Sequence, residues 1–276
     1  QGNLGSLRAL LAGRTRGPAL TAELDARLEA ANQHTLLIIA AERGQADAVR
    51  LLLGSGAGVG ATTGDGCSAL IMACQRGQLE CARLLLEAGA AVAQADAEGR
   101  TPLYISCREG HLEIARLLRE ASAAIDQAMN DGTTPLSAAS LAGEIGCVRL
   151  LLEAGAAVNQ ADAEGFTPLY VACQEGNFEC AQLLRDAGAA ANQACNDGTT
   201  PLFMACQEGQ LECAMLLRGA GADINQAMND GTTPLSIASE RGQLEAARLL
   251  LEAGVAMDQA DEDGATPLFM ACQQGQ

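Results

Sequence analysis

The chain has 276 residues and a net charge of −17, and 49% of its residues are apolar although only 2% are aromatic. So acidic a chain is not expected to bind nucleic acid, because neutralising phosphates requires stripes of basic side chains. All 17 basic residues are arginine, and the lack of lysine excludes Schiff-base chemistry and lysine-dependent phosphate loops.

The first 32 residues contain two segments with helical character. Residues 2–13, "GNLGSLRALLAG", align with residues 44–55, "GQADAVRLLLGS", which lie 42 residues further along. Between them, "TAELDARLEA" at 21–30 is a candidate extra helix with Thr21 as its N-cap. Because the rest of the chain recurs at 33 residues, we interpret 1–32 as a partial repeat, its second helix, plus an insertion. The apolar run at 36–41 is far too short to cross a bilayer, so no membrane insertion is expected.

From residue 33 onward the sequence repeats every 33 residues. Seven glycines keep that step without a slip: Gly66, Gly99, Gly132, Gly165, Gly198, Gly231 and Gly264. Each follows an acidic residue, as in Asp131–Gly132, and predicts a tight turn. Thr134 and Pro135 then suit the N-cap and first position of a short apolar helix, which a second glycine ends. An amphipathic helix follows, as at 78–90, and closes at a further glycine.

Each repeat is therefore predicted to be a turn, two helices and a turn. Neither helix is long enough to be stable alone, so the core must form between neighbouring repeats. We count seven repeats over 33–263 and the first helix of an eighth over 264–276, and we expect further chain beyond that helix.

These repeated lines resemble the ankyrin repeat. The resemblance rests on the 33-residue step, the "GTTPL" line and the pattern G-x-L-E-x-A-x-L-L-L-x-A-G-A, and it covers residues 33–276. It implies an all-α solenoid of stacked helix-turn-helix units joined by β-turn or hairpin-like loops. One departure is Ser122, which replaces a capping glycine and should weaken that helix end.

A second departure from the family concerns the histidine that normally follows Thr-Pro-Leu. Its slot holds Tyr104, Ser137, Tyr170, Phe203, Ser236 and Phe269. We predict that the four aromatic residues among these fill gaps between repeats, because large aromatic side chains are usually buried.

The eleven cysteines are mostly interpreted as small core residues. Nine of them occupy two repeat slots, which hold Ser140, Ile114 or Ala246 in other repeats. No C-x-x-C pair occurs and the chain has only two histidines, so no metal site is expected. Disulfides within one repeat are the alternative, but the odd total favours free thiols in a reducing compartment, the cytoplasm or nucleus. Cys67 and Cys195 lie near turns and are predicted to be the exposed thiols.

No arrangement of residues predicts catalysis or a cofactor. His34 and His111 lie 77 residues apart, and neither is near a serine or cysteine elbow. Asp261 and Asp263 form a carboxylate pair, but they are expected at a turn tip rather than in a cleft. The chain is therefore not predicted to be an enzyme.

The resemblance implies that a partner binds the turn tips and the exposed side of the first helices, which line a concave groove. Matching the slots of this surface gives the candidate residues Arg100, Arg108, Glu109, Thr133, Leu141, Phe166, Gln174, Glu175, Gln207, Glu208, Glu240 and Arg241. Met129 and Met228 are added as adaptable tip contacts. Phe166 with Tyr170 is either an apolar anchor for the partner or a cover over the neighbouring turn, and both interpretations stay open.

Acidic residues recur at the predicted turns, and they either attract a basic partner or solvate the surface. The resulting expectation is a non-catalytic protein-binding scaffold or adaptor. Two alternatives remain. The repeats could mask a kinase, ligase-receptor or channel domain of a larger protein, or they could form a structural linker in a large assembly.

Overall fold

The computed structural model describes residues 34–275, which form fifteen α-helices and no β-strand. Seven helix pairs are followed by a single helix: α1 (Leu36–Glu42) with α2 (Ala46–Gly54), α3 (Ala69–Gln75) with α4 (Leu79–Glu87), α5 (Pro102–Arg108) with α6 (Leu112–Glu120), α7 (Pro135–Ala142) with α8 (Ile145–Glu153), α9 (Pro168–Glu175) with α10 (Phe178–Asp186), α11 (Pro201–Gln207) with α12 (Leu211–Gly219), α13 (Pro234–Glu240) with α14 (Leu244–Glu252), then α15 (Pro267–Gln274). None of these helices has the length and apolar character that a membrane span requires. The helices predicted at 2–13 and 21–30 lie outside the described residues.

Each first helix begins at a threonine or serine whose hydroxyl accepts a backbone N–H three residues later. In α7, the Thr134 hydroxyl accepts the amide of Ser137 at 3.1 Å, and Pro135 occupies the first turn, which confirms their predicted roles. Such a cap contributes about 1 kcal/mol, because it satisfies one of the amides that a helix start leaves open. Short helices of this kind therefore have a fixed starting residue in every repeat.

The described residues form two compact units, one that ends at Asn130 and one that begins at Asp131. In the first unit, the first helices α1, α3 and α5 pack side by side, as do the second helices α2, α4 and α6. In the second unit, α7, α9, α11, α13 and α15 form one row and α8, α10, α12 and α14 form the other. The core of each unit lies between its two rows, as expected for helices too short to fold alone.

Small residues fill most of this core and let the short helices approach one another. Cys173 and Ala172 on α9 are fully buried, and Cys180 on α10 is 1% exposed. All eleven cysteines are free thiols, and ten of them are buried. The interpretation of the repeated cysteines as core residues is thereby confirmed for every one except Cys272, which is exposed.

Three of the four aromatic residues in the vacant histidine slot are buried, as predicted. Tyr104, Tyr170 and Phe203 are 6%, 4% and 2% exposed. The prediction is wrong for Phe269, which is 58% exposed. Phe203 lies on α11, between α9 and α13, and α15 packs against α13.

Ser122 adopts φ 64°, the left-handed conformation that glycine provides after other second helices. It is the one non-glycine residue with positive φ in the described part of the chain. Because the Cβ atom makes this conformation costly, the helix end that it closes carries backbone strain that its glycine counterparts avoid.

Candidate functional site

Two kinds of turn tip occur along the chain, and both depend on an aspartate side chain. In one kind, the aspartate lies three residues before the turn glycine: Asp162 Oδ1 accepts the amides of Glu164 at 3.1 Å and Phe166 at 2.8 Å. In the other, it lies directly before the glycine, and Asp197 Oδ1 accepts the amide of Thr199 at 2.9 Å. Part of the acidic row in the sequence is therefore explained by turn capping.

In the second kind of tip, the residue three positions before the glycine does not cap the turn, so this position need not hold an aspartate. Cys195 and Met228 occupy it in the second unit. The Cys195 thiol donates to Asp197 Oδ1 at 2.9 Å, and this bond, with that from the Thr199 hydroxyl, lowers the pKa of the Asp197 carboxyl. Met228 packs against the core and is only partly exposed, so part of its side chain is available at the tip. Met129 is also only partly exposed.

Backbone hydrogen bonds join successive tips within each unit. In the second unit, the amide of Asn196 donates to the carbonyl of Glu164 at 3.0 Å, and the amide of Asn229 donates to that of Asp197 at 2.9 Å. The Asn196 side chain adds a bond to the Ala163 carbonyl at 2.8 Å. The tips are thus fixed before any partner arrives, which reduces the entropy that binding must offset.

The first helices are joined by a second set of bonds, which the sequence analysis missed. The residue after the second glycine reaches back to the end of the preceding first helix: Asn177 Nδ2 donates to the Ser140 and Leu141 carbonyls at 2.9 Å, and Gln243 Nε2 to the Gln207 carbonyl at 3.2 Å. The recurrence of Gln or Asn at this position in the sequence could have predicted these hydrogen bonds. In the first unit His111 takes the same position, with Nε2 3.4 Å from the Gln75 carbonyl, so this histidine has a structural role.

The predicted partner-binding residues divide into three groups by exposure. Exposed side chains are Arg108, Glu109, Leu141, Glu175, Glu208 and Arg241. Partly exposed side chains are Arg100, Met129, Thr133, Phe166, Gln174, Gln207, Met228 and Glu240. Tyr170 is buried, so it cannot itself contact a partner as the anchor hypothesis required.

Phe166 lies over the core and also keeps part of its ring in solvent. Its ring stacks on that of Tyr170, with centroids 4.7 Å apart and planes inclined by 15°. Tyr170 in turn belongs to a buried cluster with Val171, Met204 and Ile237, against which Phe166 and Met228 pack. We call Phe166, Val171, Met204, Met228 and Ile237 the apolar strip.

Arg100 is held by its own turn. Its Nε lies 2.7 Å from Asp96 Oδ2, and its Nη1 lies 3.1 Å from Glu98 Oε2. Only 26% of its side chain is exposed. This guanidinium therefore neutralises neighbouring carboxylates of the first unit and is poorly placed to pair with a partner.

Acidic charge is concentrated in residues 131–276, which contain 20 acidic residues and 5 arginines and so account for −15 of the net charge. We call two sets of residues of this unit together the tip surface: the turn tips 131–133, 161–166, 194–199, 227–232 and 260–265, and the first-helix ends 141–142, 174–175, 207–208 and 240–241. Eleven of the acidic residues lie on it, with Arg241 as its single arginine. None of these eleven forms an ion pair within the described residues, whereas Asp186 and Glu245 on the second helices do.

The prediction that Cys67 and Cys195 are exposed is wrong. They are 6% and 7% exposed, because both side chains lie beneath the turn tips. Burial raises the pKa of the Cys67 thiol to about 11 and that of the fully buried Cys74 to about 12. Cys272 on α15 is the exposed thiol.

Alkylation of the native protein with iodoacetamide at about pH 8 should therefore modify Cys272 first, because the other ten thiols are buried and burial also raises the pKa of several of them, such as Cys67 and Cys74. Intact-mass spectrometry would show a single fast adduct, and denaturation in urea should release all eleven thiols. The Cys272→Ser variant is the control, since serine occupies the same slot at 140 and 239. A fast adduct on Cys67 or Cys195 in this variant would contradict the burial of these two side chains.

Within residues 34–275, no three histidine, cysteine, aspartate or glutamate side chains are grouped as a metal would require. The arrangement instead offers a rigid surface with variable side chains.

Comparisons with known proteins are consistent with this architecture. The family model described as "Ankyrin repeats (3 copies)" matches residues 1–96, 37–128, 90–162, 155–228 and 215–276. Among solved structures, the crystal structure of the human ASB11 ankyrin repeat domain is 29% identical with a TM-score of 0.73, over 79% of this chain and 97% of that one. A comparison with curated protein sequences gave no match.

Proposed function

This chain belongs to the ankyrin-repeat family, and on that premise we propose that it is a non-catalytic scaffold or adaptor that binds a partner protein on its turn tips and first-helix ends. Ankyrin repeats are in general protein–protein interaction modules. The observation that carries the proposal is the combination of fixed tips with side chains that differ between repeats at the same exposed slot. On the second unit one such slot holds Ala142, Glu175, Glu208 and Arg241, all of them exposed, and Leu141 is exposed in the slot before it.

The proposed mechanism is recognition by a preformed surface. Hydrogen bonds from tip to tip and from helix end to helix end hold the backbone, so only the exposed side chains lose freedom on binding. Arg108 and Glu109 are the exposed candidates on the first unit. We retain Thr133, Phe166, Gln174, Gln207, Glu240, Met129 and Met228 as peripheral candidates because they are partly exposed.

The organisation and location of the chain are part of the proposal. We assign seven repeats to 33–263, the first helix of an eighth to 264–276, and a partial repeat with an insertion to 1–32. Ten buried free thiols are compatible with a reducing compartment, and the cytoplasm or nucleus is the proposed location.

A structural linker is the second candidate, because apolar side chains are also exposed on the second helices. Met215 on α12 is 50% exposed, Leu244 on α14 is 66% exposed and Ile145 on α8 is 40% exposed. A large assembly could contact the second unit through these residues, which lie outside the tip surface.

Site-specific crosslinking distinguishes the two candidates. A benzoylphenylalanine is placed at Glu208, at the end of α11, or at Met215 on α12, in the full chain expressed in cells of its source. Both positions are exposed, so either should tolerate the probe. The scaffold function predicts a discrete crosslinked protein from position 208 and none from position 215. Crosslinks from position 215 alone would favour the linker instead.

A further inference from the structure

We propose that the second unit binds a basic segment of its protein partner, with one apolar side chain on the apolar strip and arginine or lysine side chains against the surrounding carboxylates. This inference rests on the proposed scaffold function and specifies the chemistry of the partner. It follows from the position of the strip, from the charges beside it and from the lack of internal ion pairs.

The stacking of the repeats does not require apolar side chains at every position of the apolar strip. The slot of Phe166 holds Arg100, Thr133 or Thr199 in other repeats, so an aromatic side chain is not needed to close the turn. Met228 occupies the position that Asp162 holds in another repeat, where the aspartate side chain caps the turn tip. Both side chains remain partly exposed above a buried cluster, which leaves a contact area for one further apolar side chain.

Carboxylates lie directly beside this strip. Glu175 follows Val171 by four residues on α9, and Glu208, the C-cap residue of α11, follows Met204 by four residues. Residues four apart share one face of a helix, so each glutamate lies next to a residue of the strip. At the tips, Glu164 is two residues from Phe166.

No arginine pairs with these carboxylates in the described part of the unit. Among the described residues, Glu175 and Glu208 accept side-chain hydrogen bonds only from the neutral Gln174 and Gln207, at 3.2 and 2.8 Å. Glu164 is exposed and forms no ion pair within the described residues. A partner of opposite charge would be attracted to this face, whereas nucleic acid would be repelled. The complementary occupant is therefore a basic protein segment that carries an apolar residue.

The experiment uses the full chain and a fluorescein-labelled, arginine-rich peptide with one central leucine, followed by fluorescence anisotropy at low salt. The triple variant Glu164→Gln, Glu175→Gln, Glu208→Gln should weaken binding about tenfold, since each exposed pair contributes modestly. The matched control is Glu179→Gln, Glu212→Gln, Glu252→Gln, which removes the same charge from exposed positions on the second helices. It should bind almost as well as the unaltered chain.

The apolar contact is tested separately with Phe166→Thr, because threonine occupies this slot in other repeats. This variant should weaken the leucine peptide severalfold and should leave a peptide with alanine in place of leucine unchanged. Equal weakening by both glutamine triples would overturn the proposed site, since it would show attraction by net charge alone.

A third outcome separates this inference from the proposed function. If the peptide does not bind but position 208 still crosslinks a protein, the basic-segment proposal fails while the scaffold function stands. If the peptide does not bind and position 208 gives no crosslinked protein, both the basic-segment proposal and the scaffold function are overturned.

Discussion

Replacing Phe203 with alanine is expected to destabilise the second unit by about 3–5 kcal/mol, the usual cost of removing a buried aromatic side chain. The ring is 2% exposed on α11, between the neighbouring first helices α9 and α13, and belongs to the cluster that contains Tyr170 and Ile237. Short stacked helices have no other source of core, so this cavity weakens contacts on both sides of α11. Urea unfolding followed by circular dichroism should show a clearly lower midpoint.

Phe269→Ala is the matched control, because it makes the same chemical change at the same slot of another repeat. Phe269 is 58% exposed, so its loss should cost about 0.5 kcal/mol or less. Equal losses for the two variants would contradict the difference in burial. A negligible loss for Phe203→Ala would show that the slot is not part of the core.

The fold was predictable because its determinants are local and repeated. The 33-residue step of glycines sets the turns, and each Thr-Pro pair sets a helix start, as the caps at Thr134 and Thr200 show. The burial of cysteines was predictable for the same reason, since Ser140, Ile114 and Ala246 in equivalent slots indicate a small core position.

The site was less predictable because it depends on contacts between repeats. Cys195 lies in a turn whose other residues are polar, which suggests exposure. In the structure its thiol lies beneath the turn tip and donates a hydrogen bond to Asp197. The position of Arg100 in its repeat predicts an exposed side chain. The structure shows that this side chain forms an ion pair with Asp96. Phe269 follows the same line as Phe203, yet it is 58% exposed whereas Phe203 is 2% exposed, a difference that no local pattern encodes.

The tip-to-tip bonds predict a second large effect, at Gly198. This glycine has φ +90°, and an added Cβ would lie 2.7 Å from both the backbone N and the side-chain Oδ1 of Asn229. The same backbone N donates to the Asp197 carbonyl, so the substitution Gly198→Ala must push apart a hydrogen-bonded contact between tips. We expect a loss of about 3 kcal/mol, of which about 1–2 is the left-handed backbone of a residue with a Cβ.

Gly188→Ala isolates the contribution of the contact. Gly188 has φ +88°, nearly that of Gly198, but an added Cβ there meets no atom within 4 Å. The control should therefore lose only the backbone contribution, about 1–2 kcal/mol. Hydrogen exchange measured by mass spectrometry should show faster exchange at the Asn229 amide in Gly198→Ala and no such change in Gly188→Ala. Equal losses of stability in the two variants, together with equal exchange rates at the Asn229 amide, would contradict this prediction. The backbone conformation alone would then explain why glycine is needed at position 198, and the contact between tips would contribute little to the rigidity on which partner binding depends.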